Sequence, residues 1–356
     1  MRYRTVLVSL FALLVLAAPA AASASGPPAL VFSRLTTQKH GAEAEVRGGL
    51  FIARGERVDQ LTDDPADAEP AFSPDGTTIV FVRDGDLFTM RPDGTGERQL
   101  TSGAEVDSQP QFTPDGRLIV FERATGAGAP RDLYVVASHG GGARPLAPSP
   151  ADEHEATISR NGKTVAFVRT PALGSDAIYS VRLNDSGLSR LSRGGEDAFA
   201  PHYFAGGIVF DRGDSSAGPA GYSDIYAMRA DGAKPHKLVG GASSVYLQDV
   251  SADGRTMLFS RYESLCEKPI AGGAPRKLGP LPDDAKVQAR FSPDGTRVAV
   301  RVEAGEDADE TEQRLYLLDV RRGFELGELA SVEAGEGAAA EIGTGFAWQP
   351  RSRSAY

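Results

Sequence analysis

Residues 72–83 read FSPDGTTIVFVR, and this stretch predicts the fold. Pro74 stands at the second position of a type I turn, which requires a φ close to the value that the proline ring fixes. Gly76 can take the left-handed conformation that other residues enter at a cost. The β-branched and aromatic run from Ile79 to Val82 is typical of a buried strand. We therefore expect a tight turn between two antiparallel strands.

The same frame recurs along the chain. Related turns occupy residues 112–116, 158–162, 250–254 and 291–295, and a degraded copy, two residues shorter, lies at 203–207. Successive copies begin about 40 to 47 residues apart, which is the spacing of propeller blades. Each copy contains four strand-like segments, which we label A to D, with A before the turn and B after it.

The repeats predict an all-β, seven-bladed β-propeller. Beyond the N-terminus, no segment has the sustained 3.6-residue apolar period of a helix. The expected blades are approximately 29–62 with 345–350, 67–101, 107–147, 153–192, 199–239, 246–279 and 286–330. Six blades are the alternative, if the weak copy at Tyr203 is absorbed into a neighbouring blade.

The two ends of the repeat region complement each other. The first blade has strands B, C and D but no strand A, and residues 346–350 resemble a surplus strand A with its turn. We expect this C-terminal strand to pair with the N-terminal blade, which closes the ring and leaves no free radial edge. Trp348 matches Phe72, Phe112 and Phe291 in this frame, so it is expected to pack in the core.

The composition limits the classes of partner. The chain has 356 residues, 41% apolar and 24% charged, the balance of a soluble globular protein. Its formal net charge of −10 argues against nucleic acid as the main partner. Cys266 is the single cysteine, so no internal disulfide can form, and we expect it to be a packed side chain.

The N-terminus reads as a secretory signal. Arg2 and Arg4 precede an apolar run from Val6 to Ala17 that is short for a membrane span, and Ala22-Ser23-Ala24 fits a cleavage site. We expect residues 1–24 to be a signal peptide and 25–356 to be one propeller domain. The protein would then be exported, in the periplasm, at the cell envelope or secreted, without stable membrane insertion. An uncleaved anchor is the alternative.

The turn signature resembles that of the TolB-like propeller repeat, whose blades carry the same (Phe/Trp)-Ser-Pro-Asp-Gly frame. The resemblance covers about residues 29–350, and the N-terminal propellers of the dipeptidyl peptidase IV and prolyl oligopeptidase families are similar. It implies the fold, whereas the repeat serves many functions. The chain contains no Gly-x-Ser-x-Gly nucleophile motif. We therefore expect a propeller alone, with no catalytic residues.

Loops of varied length identify one face of the disc as the candidate binding face. The B–C connections lie there and include the long segments 35–48, 213–223 and 303–313. Strand B ends there in a recurring arginine, at Arg34, Arg83, Arg123, Arg169, Arg212 and Arg261. These arginines either pair with nearby carboxylates such as Asp67, Asp107 and Glu153 and pin the connections between blades, or form a rim that recognises a ligand.

A second set of polar residues is expected at the central opening, where strands A begin. Its members are Glu69, Gln109, His154, Glu155, His202, Gln248 and Gln288. The oligogalacturonate lyases, which have a similar repeat, hold a divalent metal with a histidine cluster in this region. Here only His154 and His202 lie roughly in place, at different offsets from the turn, so we predict neither a metal site nor a cofactor.

The sequence thus predicts a monomeric, non-catalytic scaffold that binds a protein or an envelope polymer through the loop-rich face. Two alternatives remain open. One is a metal-dependent polysaccharide lyase or hydrolase acting at the central channel, with a divalent cation. The other is an accessory or sensor subunit of a separate enzyme.

Overall fold

The computed structural model describes residues 28–40, 43–55, 57–126, 128–213, 223–241, 244–282, 286–304, 312–321, 327–332 and 338–350. These residues form seven antiparallel four-stranded sheets, so the predicted all-β class is confirmed. Within them there is no helix long and apolar enough to cross a membrane. The predicted signal peptide lies outside the described residues.

The seven sheets confirm the predicted number of blades. Blade 1 consists of β1 (Leu30–His40), β2 (Glu43–Arg54), β3 (Arg57–Gln60) and β28 (Ala338–Trp348). Blade 2 consists of β4 (Ala68–Phe72), β5 (Ile79–Arg83), β6 (Asp86–Met90) and β7 (Arg98–Gln99). Blade 3 consists of β8 (Val106–Phe112), β9 (Leu118–Ala124), β10 (Arg131–Ala137) and β11 (Arg144–Leu146).

The remaining blades follow the same plan. Blade 4 consists of β12 (Asp152–Ile158), β13 (Thr164–Thr170), β14 (Ala177–Arg182) and β15 (Ser189–Arg190). Blade 5 consists of β16 (Asp197–Phe204), β17 (Gly207–Gly213), β18 (Ser223–Met228) and β19 (His236–Val239). Blade 6 consists of β20 (Val245–Val250), β21 (Thr256–Arg261), β22 (Ser264–Pro269) and β23 (Arg276–Pro280). Blade 7 consists of β24 (Lys286–Phe291), β25 (Arg297–Ala304), β26 (Glu312–Asp319) and β27 (Gly327–Val332).

The A–B turn is held by its own side chains. In blade 2, Ser73 donates its hydroxyl to Asp75 Oδ1 at 2.6 Å and accepts the Thr78 N–H at 3.0 Å. Gly76 has a φ of 70°, the left-handed conformation that the turn motif predicts. Strand B then enters the core, where the residues Ile79 to Phe81 are fully buried.

The hydrophobic core lies between blades. Each of seven apolar clusters combines side chains of two neighbouring blades, and the cluster that contains Leu30, Leu315 and Trp348 joins blade 7 to blade 1. Cys266 is buried in the cluster between blades 5 and 6, as predicted, and burial raises the pKa of its thiol. The ring is therefore packed continuously around its circumference.

The predicted closure is confirmed. β28 pairs with β1, with Trp348 opposite Leu30 and Phe346 opposite Phe32. The Gln349 N–H donates to the Ala29 carbonyl at 2.7 Å, and its side-chain amide donates to the Gly76 carbonyl of blade 2 at 2.8 Å. The C-terminal strand thus completes blade 1 and contacts the turn of the next blade.

Two sequence expectations need correction. The six-blade alternative is wrong, because the weak copy at Tyr203 lies in β16 and forms its own four-stranded sheet. The segment 35–48 is largely strand rather than loop, since β1 continues to His40 and β2 begins at Glu43 in paired register. Residues 214–222 and 305–311 of the other two long connections lie outside the described residues.

Candidate binding surface

The recurring arginine belongs to a cluster that is repeated in blades 2 to 4. In blade 2, Arg83 lies opposite the buried Asp67 and donates to both carboxylate oxygens, at 2.6 and 2.9 Å. Its guanidinium also lies over the Phe81 and Phe88 rings, 5.4 and 5.0 Å from their centroids. Burial raises the pKa of Asp67, although hydrogen bonds from Arg83 oppose that effect. The arginine is thus held by a bidentate ion pair and an aromatic surface.

Blades 3 and 4 repeat this cluster. Arg123 donates to both oxygens of the buried Asp107 at 2.6 and 2.8 Å. Arg169 donates from Nε to Glu153 Oε1 at 3.1 Å and from Nη2 to the Ala147 carbonyl at 2.8 Å. Because Ala147 lies in the connection from the preceding blade, the predicted pinning of inter-blade connections is present here.

The cluster is altered in the other blades. Ala198 replaces the carboxylate in blade 5, and Arg212 pairs with Glu196 instead. In blade 6, Arg261 lies opposite Val245 and donates to the Gly240 carbonyl at 3.1 Å. Nε of Arg261 and Nε of Arg34 are buried without a hydrogen-bond partner among the described residues.

A second set of contacts joins the inner strands around the ring. The Gln109 N–H donates to Glu69 Oε2 at 2.6 Å, and the Ala200 N–H donates to Glu155 Oε2 at 2.6 Å. In each case the carboxylate belongs to the preceding blade. The Glu155 N–H in turn donates to Glu122 Oε1 at 2.9 Å.

The series continues through blades 6 and 7. The Leu247 N–H donates to both oxygens of Asp211 at 3.1 and 3.0 Å, and the Phe291 N–H donates to Asp249 Oδ2 at 2.8 Å. From blade 2 to blade 7, a carboxylate of each blade therefore accepts an inner-strand N–H of the next. We call these five carboxylates the acidic staples, and they are Glu69, Glu122, Glu155, Asp211 and Asp249.

Three of the staples act where the inner strands bulge, on the N–H groups of Gln109, Glu155 and Ala200. The A–B register shifts in blades 2 to 6, and Glu69, Gln109, Glu155 and Ala200 have positive φ values of 48° to 52°. A bulge removes a residue from the ladder and leaves its N–H without a partner in the sheet. The staple satisfies that N–H, which offsets the cost of the left-handed conformation.

A polar cavity of about 520 Å³ occupies the central channel. Its polar lining includes Gln109, Gln111, Glu155, Arg160, His202, Tyr203, Gln248, Asp249, Gln288 and Arg290. Five of the predicted channel residues thus converge, namely Gln109, Glu155, His202, Gln248 and Gln288. Glu69 contacts Gln109 but is not part of this lining, and His154 is turned to Thr170 Oγ1 at 3.0 Å.

The two histidines therefore do not meet. The His202 ring contacts the Ala200 carbonyl through Nδ1 at 3.2 Å, and burial lowers its pKa, although Asp249 opposes that effect. His202 is consequently neutral at neutral pH. In the part of the chain that the structure describes, no three His, Cys, Asp or Glu side chains are grouped as metal ligands would be.

Arg160 lies in the A–B turn of blade 4 and lines the cavity at that end. It occupies the turn position where blades 2, 3 and 7 have proline, and Nη1 donates to the Ala252 carbonyl of blade 6 at 2.7 Å. This contact links the turns of blades 4 and 6 past the shortened turn of blade 5.

Sequence reasoning missed Glu122, Asp211, Asp249, Arg160 and Arg290 as residues of this region. One signal was available for the first two. An acidic residue stands between the phenylalanine and the arginine of strand B only in blades 3 and 5, where the chain reads Phe-Glu-Arg and Phe-Asp-Arg. A carboxylate inside an otherwise apolar run implies a specific buried partner.

The fold and these clusters define the class of the protein: it is a seven-bladed β-propeller closed by its C-terminal strand. Residues 66–210 match the family model of the TolB beta propeller domain, so this part of the chain carries TolB-type propeller repeats. The expected resemblance is thereby confirmed. No curated protein matches the chain in sequence.

Solved structures agree on the fold. A putative TolB from Agrobacterium tumefaciens is 16% identical with a TM-score of 0.50, and the alignment covers 88% of this chain and 98% of that one. An oligogalacturonate lyase from Vibrio parahaemolyticus is 12% identical with a TM-score of 0.62, over 82% and 92%. A puromycin-hydrolyzing peptidase from Mycobacterium tuberculosis is 14% identical with a TM-score of 0.63, over 84% of this chain and 53% of the peptidase. At these identities the similarity extends to fold alone.

Proposed function

We propose that this protein is an exported, non-catalytic scaffold that binds a partner protein at the loop-rich face, over the mouth of the central channel. The observation that carries the proposal is the amide-rich polar cavity of about 520 Å³ at the ring centre. Several charged residues that would otherwise suggest chemistry have intramolecular partners, among them Arg83 and Arg123 in the arginine clusters and Glu69 and Glu155 in the acidic staples.

The amide side chains are suited to a polypeptide. Each glutamine has two N–H donors and an acceptor oxygen, so it can pair with both the N–H and the C=O of a backbone segment. Gln111 uses one donor on the Ala156 carbonyl at 2.8 Å, and Gln248 uses one on Ser260 Oγ at 3.3 Å. As far as the described residues are concerned, both side chains retain an N–H donor and a carbonyl oxygen for a ligand.

Rigidity also favours binding. The staples fix the inner strands, and the inter-blade clusters leave the scaffold little freedom, so a ligand at the mouth is met by a preorganised surface. The negative net charge suits neither nucleic acid nor an anionic membrane surface as partner.

Site-specific photocross-linking tests the proposal. A benzoylphenylalanine residue is placed at Gln288 or Gln248 at the mouth, or at the exposed Lys163 beside the A–B turn as a control, in the full chain expressed in its own cell. We expect a discrete protein adduct from the mouth positions and none from Lys163. Absence of any adduct at the mouth would contradict the proposal, and an adduct that contains glycan rather than protein would identify an envelope polymer instead.

The export component needs its own measurement. Intact-mass analysis of the protein from cell fractions should find it outside the cytoplasm with a mature N-terminus at Ser25, immediately after the Ala-Ser-Ala motif. A full-length chain in the cytoplasmic fraction would contradict export.

A further inference from the structure

The strand register makes one position comparable across all seven blades. In five blades an aromatic residue of strand C lies directly opposite a buried phenylalanine of strand B. The pairs are Phe32–Phe51, Phe81–Phe88, Phe121–Tyr134, Phe167–Tyr179 and Phe210–Tyr226, with ring centroids 5.8 to 6.1 Å apart. Blade 6 keeps the phenylalanine, Phe259, opposite Cys266.

Blade 7 keeps the strand C aromatic residue but lacks the phenylalanine. Val300 lies opposite Tyr316, at the register position where Phe81 faces Phe88. Val302 stands in the place of the arginine, and Val287 faces it in the place of the carboxylate. The phenylalanine and the arginine that lie against the strand C ring in other blades are thus both replaced by valine, a smaller side chain.

The replacement leaves a cavity of about 280 Å³ between blades 6 and 7. Val300, Val302, Tyr316 and Leu318 form its blade 7 side, and Leu265 and Leu281 form the side toward blade 6. Pro280, at the end of β23, and Pro282, in the connection that enters blade 7, line the cavity and are exposed. The cavity therefore opens to solvent on the loop-rich side of the disc.

We propose that this cavity receives an aromatic side chain of the partner protein, which stacks on Tyr316 in the place that phenylalanine fills in the other blades. The inference rests on the proposed function, because it assumes a protein partner at the loop-rich face. The other blades indicate which group fits this site, since in five of them a phenylalanine ring lies against the aromatic ring at the strand C position of Tyr316. An aromatic anchor in an apolar pocket is also a common source of interface affinity.

The chemistry of the lining favours a ring over other groups. The described residues of the lining include no charged side chain, so burial of a charged or strongly polar group against them would be unfavourable. A ring that stacks on Tyr316 gains an aromatic contact in addition to its burial, which an aliphatic chain lacks.

Methyl NMR of the full chain tests this with defined probes. The methyl groups of Val300, Val302, Leu281 and Leu318 are followed during titration with acetyl-Gly-Phe-Gly-amide, and with the matching Leu and Ala peptides and octanoate. We expect ring-current shifts at these methyls with the Phe peptide, and an affinity at least tenfold higher than for the Ala peptide. No shift, or tighter binding of the Leu peptide or of octanoate, would overturn the proposal.

The substitution Val300→Phe provides the matched control, because it restores the residue of the other six blades and fills the cavity from within. We expect it to abolish the shifts and to keep a thermal midpoint at or above that of the parent protein. If V300F does not fold, Val302→Met fills the same space from the neighbouring position. Continued binding of the Phe peptide by a folded, filled variant would contradict the proposal.

The cross-linking experiment separates the two proposals. A partner adduct at Gln288 that is formed by the parent protein but lost in V300F supports both. An adduct of equal yield in V300F would overturn the proposal of an aromatic anchor but would still support the proposal of a binding scaffold. If the parent protein gives no adduct but its cavity methyls respond to the Phe peptide, the scaffold proposal fails and the aromatic preference of the cavity stands.

Discussion

The backbone N–H of Ala200 in blade 5 donates a 2.6 Å hydrogen bond to Oε2 of Glu155 in blade 4. Glu155 lies at the predicted channel mouth, yet one of its oxygens is committed to the neighbouring blade. The same relationship joins Gln109 to Glu69. Acidic side chains around this channel therefore hold the ring together, and a role in ligand binding has to be separated experimentally from this one.

The substitution Glu155→Ala removes a charged acceptor and leaves the Ala200 N–H unpaired. We expect the free energy of unfolding to fall by about 1.5–3 kcal/mol, measured by guanidinium denaturation. Glu155→Gln keeps a carbonyl oxygen and should lose less. Glu105→Ala, at an exposed carboxylate in the connection between blades 2 and 3, is the control and should leave stability unchanged. Equal stability of Glu155→Ala and the parent protein would refute the staple.

The arginine cluster permits a double-mutant test that the chain itself suggests. Asp107→Val leaves the guanidinium of Arg123 buried without its carboxylate, so we expect a loss of about 3–5 kcal/mol in the free energy of unfolding. The double variant with Arg123→Val copies the Val287–Val302 pair that blade 7 uses at this register position. It should be more stable than the Asp107→Val single variant. If the loss of stability in the double variant equals the sum of the losses in the Asp107→Val and Arg123→Val single variants, the two side chains are not coupled.

Much of the fold could be predicted because it depends on the conformational preferences of residues that are close in sequence. Pro74 and Gly76 suit only a tight turn, and the apolar run after them suits only a buried strand. Closure followed from Trp348, which matches the apolar residue before each turn while the first blade lacks that strand. The extension of β1 to His40 was missed, because a polar segment has no burial pattern to mark it as strand.

The site was less predictable, since its contacts depend on distances between blades. The sequence placed Glu69, Gln109 and Glu155 near the channel but gave no sign of their positive φ, as nothing but glycine signals that conformation reliably. It also placed His154 with His202 at the central opening, whereas the structure turns His154 to Thr170. The bulge that follows His154 in β12 changes which side chains face inward, and this bulge has no sequence signature.

Glu122 should make stability depend on pH. Burial raises its pKa to about 7 from an ordinary value of 4.5, with Arg131 acting in the opposite direction. The folded state therefore binds more protons than the unfolded state between these values, and stability falls as the pH rises through this range. Glu122→Gln should remove this contribution, which amounts to at most about 3 kcal/mol.

Guanidinium denaturation at pH 5 and pH 8 measures the effect. The parent protein should lose more stability between the two values than the Glu122→Gln variant does. Glu105→Gln, at the exposed carboxylate, serves as the control and should follow the parent protein. If the free energy of unfolding changes equally between pH 5 and pH 8 in Glu122→Gln and in the parent protein, the raised pKa of Glu122 is contradicted.

Trp348 tests ring closure itself. Its indole is buried between blades 7 and 1, and Nε1–H donates to the Arg290 carbonyl at 3.2 Å. Trp348→Ala should lower the free energy of unfolding by about 3–5 kcal/mol, because it opens a cavity at the seam and removes this hydrogen bond. Trp348→Phe inserts the residue that blades 2, 3 and 7 use at the same place, so it should lose much less. Hydrogen exchange distinguishes loss of closure from general destabilisation. In Trp348→Ala the amides of the β1–β28 pair should lose protection before those of β5 and β6, since noncovalent contacts hold the C-terminal strand in the first blade and no turn joins it to β1. Simultaneous loss of protection in both blades would show that the seam is no weaker than the rest of the ring.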